Sequence, residues 1–215
     1  MVFGGCSAGA RGALYNLDYV PGMIPHGIRV VGLFDAAFWV VTTNVILPQQ
    51  TAMVLKLSNA TARLGDRCLA HFPDPDEQWK CLYGEFRAQF ISLPFIVIQS
   101  QYDSFQLFTA LMHMEPYSPT EWAYLHKFRA AMHAALQAIP AGRSVFSVGC
   151  WLHCATENEL MWERPVTVQG GLALSLRDFL AVTLVKANFE AKAFGVKLIE
   201  QCVGFQCSCP GAAQQ

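Results

Sequence analysis

The sequence predicts an α/β fold, with a mostly parallel sheet flanked by helices on both faces. Short apolar runs alternate along the chain with segments of helical spacing, and this alternation is typical of parallel strands joined by helices. The 215 residues are 53% hydrophobic and 14% charged. Such a composition suits a globular domain with a substantial buried core.

Four segments are predicted as strands or strand ends. Met1–Gly5 is interpreted as the end of the first strand, and Ile28–Leu33 as a buried strand rich in β-branched residues. Phe95–Ile98 follows a proline, and Ser144–Val148 is a further short strand. Continuous apolar runs of this kind are expected of strands that are buried on both faces.

Four helices are predicted between and after these strands. Ala8–Val20 and Asp76–Phe90 carry apolar residues at helical spacing. The third helix begins at Ser118, a capping residue followed by a proline and by Glu121, which is placed to close a capping box. A last long helix is expected to start at Ser175.

Charge and hydropathy exclude several classes of partner. The net charge is −1 and no run of Lys or Arg occurs, which argues against nucleic acid or an anionic membrane surface. The most apolar segment, Val30–Leu47, contains Asp35 and Asn44, so no membrane span is predicted. The amino terminus lacks a basic region and an apolar stretch, and no signal peptide is predicted within this chain.

The cysteine content points to an oxidising compartment. Eight cysteines in a chain of this length indicate disulfides. The alternative is that several are small buried hydrophobic residues. The glycosylation sequon Asn59-Ala60-Thr61 is consistent with secretion.

The segment Gly5-Cys6-Ser7-Ala8-Gly9 matches the G-x-S-x-G pattern of a nucleophile elbow. In such an elbow the serine lies on a tight strand-to-helix turn, and we expect the two glycines to avoid clashes there. The turn exposes the Ser7 hydroxyl and directs the Ala8 backbone N–H towards the oxyanion that forms on attack. Ser7 is therefore the predicted nucleophile.

An acid and a histidine follow in the order that this class of hydrolase requires. Asp103 comes shortly after the Phe95–Ile98 strand, and His153 comes shortly after the Ser144–Val148 strand. Both are predicted at the carboxyl edge of the sheet, where such folds gather their chemistry. We predict that His153 exchanges the Ser7 proton and that Asp103 orients the imidazole.

The other five histidines are weaker candidates for the base. Those in or near predicted helices are interpreted as structural: His113, His126 and His133. His26 and His71 lie in predicted loops and remain open, although neither follows a strand so directly. Asp35 is the alternative acid, but a structural role in satisfying nearby backbone groups is favoured.

Four ordered segments resemble the pectin acetylesterase family, which includes the animal carboxylesterase Notum. They are Gly5–Gly9, Arg29–Trp39, Gln101–Gln106 and Cys150–Cys154. The first is similar to the family's nucleophile segment, the third to its "A-Y-D-x-W/A-Q" segment and the last to the "C-F-A-H-C" of plant members. The resemblance implies a partial α/β-hydrolase-like fold and hydrolysis of carboxylic esters by a Ser–His–Asp triad. The implied substrate is an acetylated polysaccharide such as pectin, or another acyl ester.

The resemblance also implies secretion and a reaction with no metal or organic cofactor. It pairs Cys68 with Cys81, and it pairs Cys150 and Cys154 with cysteines of the tail in an order that stays open: Cys202, Cys207 and Cys209. It places three aromatic residues in the acyl or sugar pocket: Phe38, Trp39 and Phe105. Ordinary core packing is the alternative for these rings. The oligomeric state and the length of the acyl group stay open.

The chain departs from the family pattern at several positions. Ala10 and Ala37 stand where the family usually has glycine, and only six residues precede Ser7. Residues 1–215 are therefore expected to form a single incomplete catalytic domain that lacks the amino-terminal strands and oxyanion loop, with a cysteine-rich tail at about 200–215. The sheet should then have an exposed edge. Loss of one oxyanion donor lowers the rate by roughly 10²–10³-fold.

A non-catalytic binding protein and a zinc site are the two alternatives to ester hydrolysis. The chain would be a non-catalytic remnant that binds a glycan or protein if the expected loss of the oxyanion loop abolished activity. A zinc site is a weaker hypothesis, because the spacing of its potential ligands is not that of a standard C-x-x-C pair. Those ligands are Cys150, His153, Cys154, Cys207 and Cys209.

Overall fold

The computed structural model describes residues 1–167, 173–186, 195–205, 207 and 209. Seven strands occur in this part of the chain: β1 (Val2–Cys6), β2 (Val31–Asp35), β3 (Phe95–Asp103), β4 (Ser144–Leu152), β5 (Val166–Thr167), β6 (Ala173–Leu174) and β7 (Lys197–Ile199). Five of them form one sheet in the order β1–β2–β3–β4–β7, and all of its neighbouring pairs are parallel. β5 and β6 form a small antiparallel pair.

The described helices lie between these strands: α1 (Ser7–Asn16), α2 (Ile46–Ser58), α3 (Asp66–His71), α4 (Gly84–Arg87), α5 (Ser104–Leu111), α6 (Pro119–Gln137), α7 (Glu159–Glu163) and α8 (Leu176–Leu180). Strand and helix therefore alternate, and the predicted α/β fold with a parallel sheet is confirmed. No helix in the described ranges is long and apolar enough to cross a membrane.

The central strand β3 is buried on both faces of the sheet. Its successive side chains point to opposite sides, and each side is covered by a hydrophobic core. Phe95 and Val97 pack in a core with residues of α1 and α6. Ile96 and Ile98 pack in a second core with residues of α7 and α8. This arrangement explains why β3 is a continuous apolar run rather than an alternating one.

Two predicted strand ends were wrong, because both strands continue further towards the carboxyl edge, β3 through polar residues. β3 runs on beyond Ile98 to Asp103, and β4 runs on beyond Val148 to Leu152. Gln99 and Gln101 are almost fully buried, and both donate side-chain hydrogen bonds. Buried polar groups are tolerated where they are hydrogen-bonded, so polarity alone does not end a strand.

Two predicted helix starts were confirmed, whereas one predicted helix was wrong in its extent. Ser118 and Glu121 form the predicted capping box of α6. Ser175 caps α8, and the chain beyond residue 186 in that segment lies outside the described residues. The single helix predicted over 76–90 was wrong: Tyr83 adopts an extended conformation between a 3₁₀ turn over Pro75–Leu82 and α4.

β1 is the edge strand of the described sheet, as predicted. It pairs with β2 on one side, and a groove of about 650 Å³ lies beside it. Most of the groove's lining is small or apolar, and the lining includes Phe3, Gly9 and Ala13. The predicted triad residues lie at or just after the carboxyl ends of β1, β3 and β4. The order of these strands in the sheet therefore determines how close the three residues come to one another.

Candidate active site

Ser7 lies at the junction of β1 and α1, in a conformation that serine seldom adopts. Its φ is +54°, whereas Cys6 before it is extended, with φ −116° and ψ 151°. A non-glycine residue in the left-handed region costs about 1–3 kcal/mol and persists where the surrounding structure holds it. At this turn the backbone changes from strand to helix within one residue, and Ser7 is half-exposed.

The glycine with the least space for a side chain is Gly4, which lies in β1 just before the G-x-S-x-G pattern. A Cβ atom at Gly4 would lie 1.9 Å from the carbonyl oxygen of Leu33 on the neighbouring strand. A Cβ at Gly5 would lie 3.4 Å from the Ala10 nitrogen, and one at Gly9 would meet no atom within 4 Å. The prediction that Gly9 avoids a clash was therefore wrong.

The structure brings the three residues predicted as a triad into one hydrogen-bonded chain. His153 Nε2 lies 2.8 Å from Ser7 Oγ. His153 Nδ1 lies 2.9 Å from Asp103 Oδ2. Since β1, β3 and β4 are parallel, their carboxyl ends meet at one edge of the sheet, and Ser7, Asp103 and His153 meet there despite separations of up to 146 residues.

Asp103 is the most firmly held of the three. Its side chain is fully buried and accepts hydrogen bonds from three donors. Besides His153 Nδ1, these are Gln99 Nε2 at 3.0 Å and the Gln106 backbone nitrogen at 2.9 Å, so Asp103 also caps α5. A carboxylate held by this many donors keeps one orientation.

The electrostatic surroundings raise the pKa of His153 above its ordinary value of 6.5. Burial acts in the opposite direction, because it disfavours the charged imidazolium. Burial is the largest single influence on this pKa, but the hydrogen bond and negative charge of Asp103, together with smaller contributions from Asp35 and Glu157, outweigh it. The site is therefore arranged to stabilise a positive charge on the imidazole.

Two glutamines that the sequence did not single out connect Asp103 to the segment containing the predicted pocket aromatics. Gln99 Oε1 accepts a hydrogen bond from the Phe38 backbone at 3.0 Å. Gln106 Oε1 accepts one from the Val40 backbone at 3.2 Å. Both are nearly inaccessible to solvent. The sequence signal was their spacing around Asp103, four residues before it and three after it.

Asp35 takes the structural role that was favoured for it. It is buried and accepts hydrogen bonds from the Ala155 nitrogen at 3.2 Å, the Thr156 nitrogen at 2.7 Å and the Thr156 hydroxyl at 2.6 Å. Burial raises the pKa of Asp35, and these hydrogen bonds counteract part of the rise. Asp35 therefore holds the loop that follows His153 and does not contact the imidazole through a hydrogen bond.

Four disulfides occur: Cys6–Cys154, Cys68–Cys81, Cys150–Cys209 and Cys202–Cys207. The expected pairing of Cys68 with Cys81 and of Cys150 with a tail cysteine is confirmed. The expected pairing of Cys154 with the tail was wrong, because its Cα lies 5.7 Å from that of Cys6 at the same sheet edge. The sulfurs proposed as zinc ligands are thus bonded to other sulfurs.

The Cys6–Cys154 disulfide has a special position. Cys6 immediately precedes Ser7, and Cys154 immediately follows His153. The bond joins residues 148 positions apart. It therefore connects the two backbone segments that carry the hydroxyl and the imidazole.

The three aromatic residues predicted to line a pocket differ in their exposure. Phe38 is 1% exposed and packs in the core. Trp39 is 6% exposed and stacks on Phe105, with ring centroids 5.6 Å apart. Phe105 is 42% exposed, and its ring centroid lies 5.4 Å from that of His153. Trp39 and Phe105 thus form a wall beside the imidazole, and Phe38 lies behind it in the core.

The other histidines lie elsewhere and make different contacts. His126 and His133 are on α6, where their rings lie 3.2 Å from the Tyr102 hydroxyl and the Gln201 amide. His113 pairs with Glu121. His71 ends α3 and packs between two phenylalanine rings, and His26 is exposed before β2.

The parallel sheet and the hydroxyl–imidazole–carboxylate chain at its carboxyl edge are typical of proteins of the α/β-hydrolase class. A family model described as Pectinacetylesterase matches residues 1–202. The chain belongs to this family, whose members are carboxylic ester hydrolases.

Curated relatives and solved structures agree with this assignment. The chain is 27% identical over 170 residues to palmitoleoyl-protein carboxylesterase notum2 of Xenopus laevis, covering 71% of this chain and 34% of that protein. It is 26% identical over 162 residues to palmitoleoyl-protein carboxylesterase NOTUM of Drosophila melanogaster, covering 69% and 22%. It thus spans a third or less of the length of these relatives. The fold is similar to the structure of the Wnt deacylase Notum from Drosophila, with a TM-score of 0.79 and 24% identity over 97% of this chain and 58% of that chain.

Proposed function

We propose that this protein hydrolyses carboxylic esters, with Ser7 as nucleophile, His153 as general base and acid, and Asp103 as the group that orients the imidazole. One observation carries the proposal: the unbroken hydrogen-bonded chain from Ser7 Oγ through His153 to Asp103, with distances of 2.8 and 2.9 Å. In this proposal residues 1–215 belong to one catalytic domain.

The geometry supports a defined order of proton transfers. A carboxylate oxygen accepts hydrogen bonds and cannot donate them, so with Asp103 as the acceptor His153 Nδ1 carries the hydrogen and Nε2 is free to accept the Ser7 proton. As Ser7 Oγ attacks the ester carbonyl, negative charge forms on the carbonyl oxygen, and the Ala8 backbone N–H in the first turn of α1 would donate to it. The imidazolium then protonates the leaving alcohol. Water repeats the sequence on the acyl-enzyme and releases the acid.

For the substrate, we propose an acetyl ester on a polysaccharide such as pectin. The Trp39 and Phe105 rings beside His153 are suitable for contact with a sugar or an acyl group. The names of the relatives, palmitoleoyl-protein carboxylesterases, indicate a second candidate, an acylated protein. Four disulfides support an extracellular location, where such bonds persist.

The test combines an active-site label with turnover of a simple ester. A fluorophosphonate probe should label Ser7, and the protein should hydrolyse p-nitrophenyl acetate. Ser7→Ala and His153→Ala should each abolish labelling and lower kcat by at least about 10⁴-fold. His126→Ala is the matched control, since its imidazole also contacts a hydroxyl but lies on α6, and it should retain both.

Two outcomes would contradict the proposal. Hydrolysis that survives Ser7→Ala would remove Ser7 as the nucleophile. Binding of a glycan or a protein partner by the folded protein without any labelling would favour the alternative, a non-catalytic binding protein.

A further inference from the structure

Arg11 is a cation without a hydrogen-bonding or acidic partner among the described residues. It lies on α1, four residues after Ser7. Its guanidinium carbon is 3.6 Å from the centroid of the Trp39 ring. Its Nε atom is buried and has no hydrogen-bond acceptor.

A cavity of about 240 Å³ opens at this guanidinium. Arg11 and Trp39 form part of its wall, together with Ala8 and Thr51, and none of the described lining residues is acidic. The indole N–H of Trp39 is also buried without an acceptor, in a side chain that is 6% exposed. Two residues of the cavity wall thus each carry a buried donor without an acceptor, which is unusual for buried polar groups.

A chain of packed rings connects the wall of the cavity to the proposed reacting centre. The Trp39 ring stacks on Phe105, and Phe105 packs against the imidazole of His153. A stack of planar groups therefore extends from His153 to Arg11. Ala8, whose N–H we assign to the oxyanion, lines the cavity, whereas His153 does not. Since His153 must reach the leaving alcohol, the cavity lies on the acyl side of the ester.

We infer that this cavity is a subsite for a carboxylate at the far end of a short acyl group, with Arg11 as its specificity-determining residue. The inference rests on the proposed ester hydrolysis and extends it from acetyl groups to half-esters of dicarboxylic acids. A methyl or a fatty acyl chain would leave a desolvated guanidinium without a counter-charge. A carboxylate accepts two parallel hydrogen bonds from a guanidinium.

The reaction on such a substrate balances without any further reagent. Ser7 Oγ attacks the ester carbonyl of a compound such as monomethyl succinate, and methanol leaves with the proton held by His153. Water then cleaves the succinyl ester on Ser7 and releases succinate. The free carboxylate takes no part in bond-making and stays on Arg11.

The first experiment compares charged and neutral acyl groups of similar length. Hydrolysis of monomethyl malonate, succinate and glutarate is measured against methyl propanoate, butanoate and pentanoate by chromatography of the acids. For the best-fitting pair, kcat/KM should favour the half-ester by about 10- to 100-fold, the range expected of a hydrogen bond between charged groups. Arg11→Met should reduce this ratio by the same factor, mainly through KM. Arg63→Met, which removes a charge from an exposed residue outside the cavity, should leave the ratio unchanged.

Three outcomes would overturn the inference and leave the proposed function standing. One is a preference of the wild type for the neutral esters. Another is a ratio that does not respond to Arg11→Met. The third is Arg11-dependent preference for acetyl esters of uronates over acetyl esters of neutral sugars, which would put the carboxylate on the alcohol side.

A binding measurement separates failure of the inference from failure of the proposed function. If no ester is hydrolysed, the proposed function fails, and monomethyl succinate is titrated against the folded Ser7→Ala protein by calorimetry. Binding that weakens by about 10- to 100-fold in Ser7→Ala/Arg11→Met sustains the carboxylate subsite. The carboxylate subsite is overturned if monomethyl succinate does not bind, or if its affinity is the same in Ser7→Ala and Ser7→Ala/Arg11→Met.

Discussion

The two ends of the hydrogen-bonded chain at the candidate site are held by different means. At one end, Asp103 is fully buried and is fixed by three hydrogen-bond donors. At the other end, Ser7 is half-exposed, its hydroxyl forms a hydrogen bond with His153, and its backbone is strained and adjoins a disulfide. An orienting carboxylate must keep its position, whereas a nucleophile must be reachable by substrate. The comparison indicates that hydrogen bonds are enough to fix the position of the buried carboxylate. At the solvent-accessible nucleophile, a disulfide in the adjoining backbone takes over this role.

The largest expected effect comes from replacing the buried carboxylate. Asp103→Asn should lower kcat for p-nitrophenyl acetate by about 10⁴-fold, because an amide favours the wrong tautomer of His153. Asp35→Asn is the matched comparison, since it changes a second buried aspartate at the same sheet edge. It should lower the free energy of unfolding by about 1–3 kcal/mol through weakened contacts to residues 155 and 156. A folded Asp35→Asn protein that is as inactive as Asp103→Asn would identify Asp35 as the acid.

The next effect concerns the covalent restraint at the Ser7 end. Cys6→Ser/Cys154→Ser opens a loop closed over 148 residues, worth about 5 kcal/mol in the chain-entropy description. Cys202→Ser/Cys207→Ser opens one closed over 5 residues, worth about 2 kcal/mol. Denaturant unfolding should rank the two variants in this order. In the folded protein, kcat should fall for the first pair alone; equal kcat values would show that the disulfide does not position Ser7 and His153.

A smaller effect is expected from the glutamine that supports Asp103. Gln99→Leu removes a donor to the carboxylate and the acceptor of the Phe38 N–H, so kcat should fall by about 10-fold and stability by about 1–3 kcal/mol. Gln101→Leu is the matched control in the same strand, because its side chain donates to a backbone carbonyl away from Asp103. It should lower stability but not kcat. A loss of kcat in both variants would attribute the effect to β3 as a whole.

The smallest effect is on pH dependence. Because the pKa of His153 is raised and the reaction needs the neutral imidazole, kcat/KM should increase with pH through an apparent pKa above 6.5. Asp103→Asn removes the principal cause of the rise and should move this limb to lower pH. A wild-type limb below pH 6.5 would contradict the described electrostatics.

The same shift has an opposite consequence for stability. His153 favours folding fully below pH 6.5, and this contribution disappears as the pH rises through the raised pKa. Asp35, whose pKa is raised from 3.8, likewise favours folding at low pH and loses that contribution as it ionises. Urea unfolding of His153→Ala and Asp35→Asn against pH measures each contribution.

The sequence predicted the parallel sheet, and it predicted the meeting of Ser7, Asp103 and His153 because each comes soon after a predicted strand. It did not predict α2 or the three-residue β7, since neither stands out from the surrounding chain by its spacing. It did not predict the Cys6–Cys154 bond, because β1 and β4 are not neighbours in the sheet, and the approach of the end of β1 to the loop after β4 follows from the whole fold. The roles of Gln99 and Arg11 depend on which side chains face them across the fold. Local pattern carries no such information.

The bond between Cys6 and Cys154 has a consequence for when activity can arise. Newly made chains in a reducing environment would hold the hydroxyl and the imidazole on segments joined by weak contacts alone. In the extracellular location proposed above, oxidation would join these segments at the same step that stabilises the fold. We expect esterase activity to appear together with that oxidation, which would protect the acylated molecules of the producing cell from their own hydrolase.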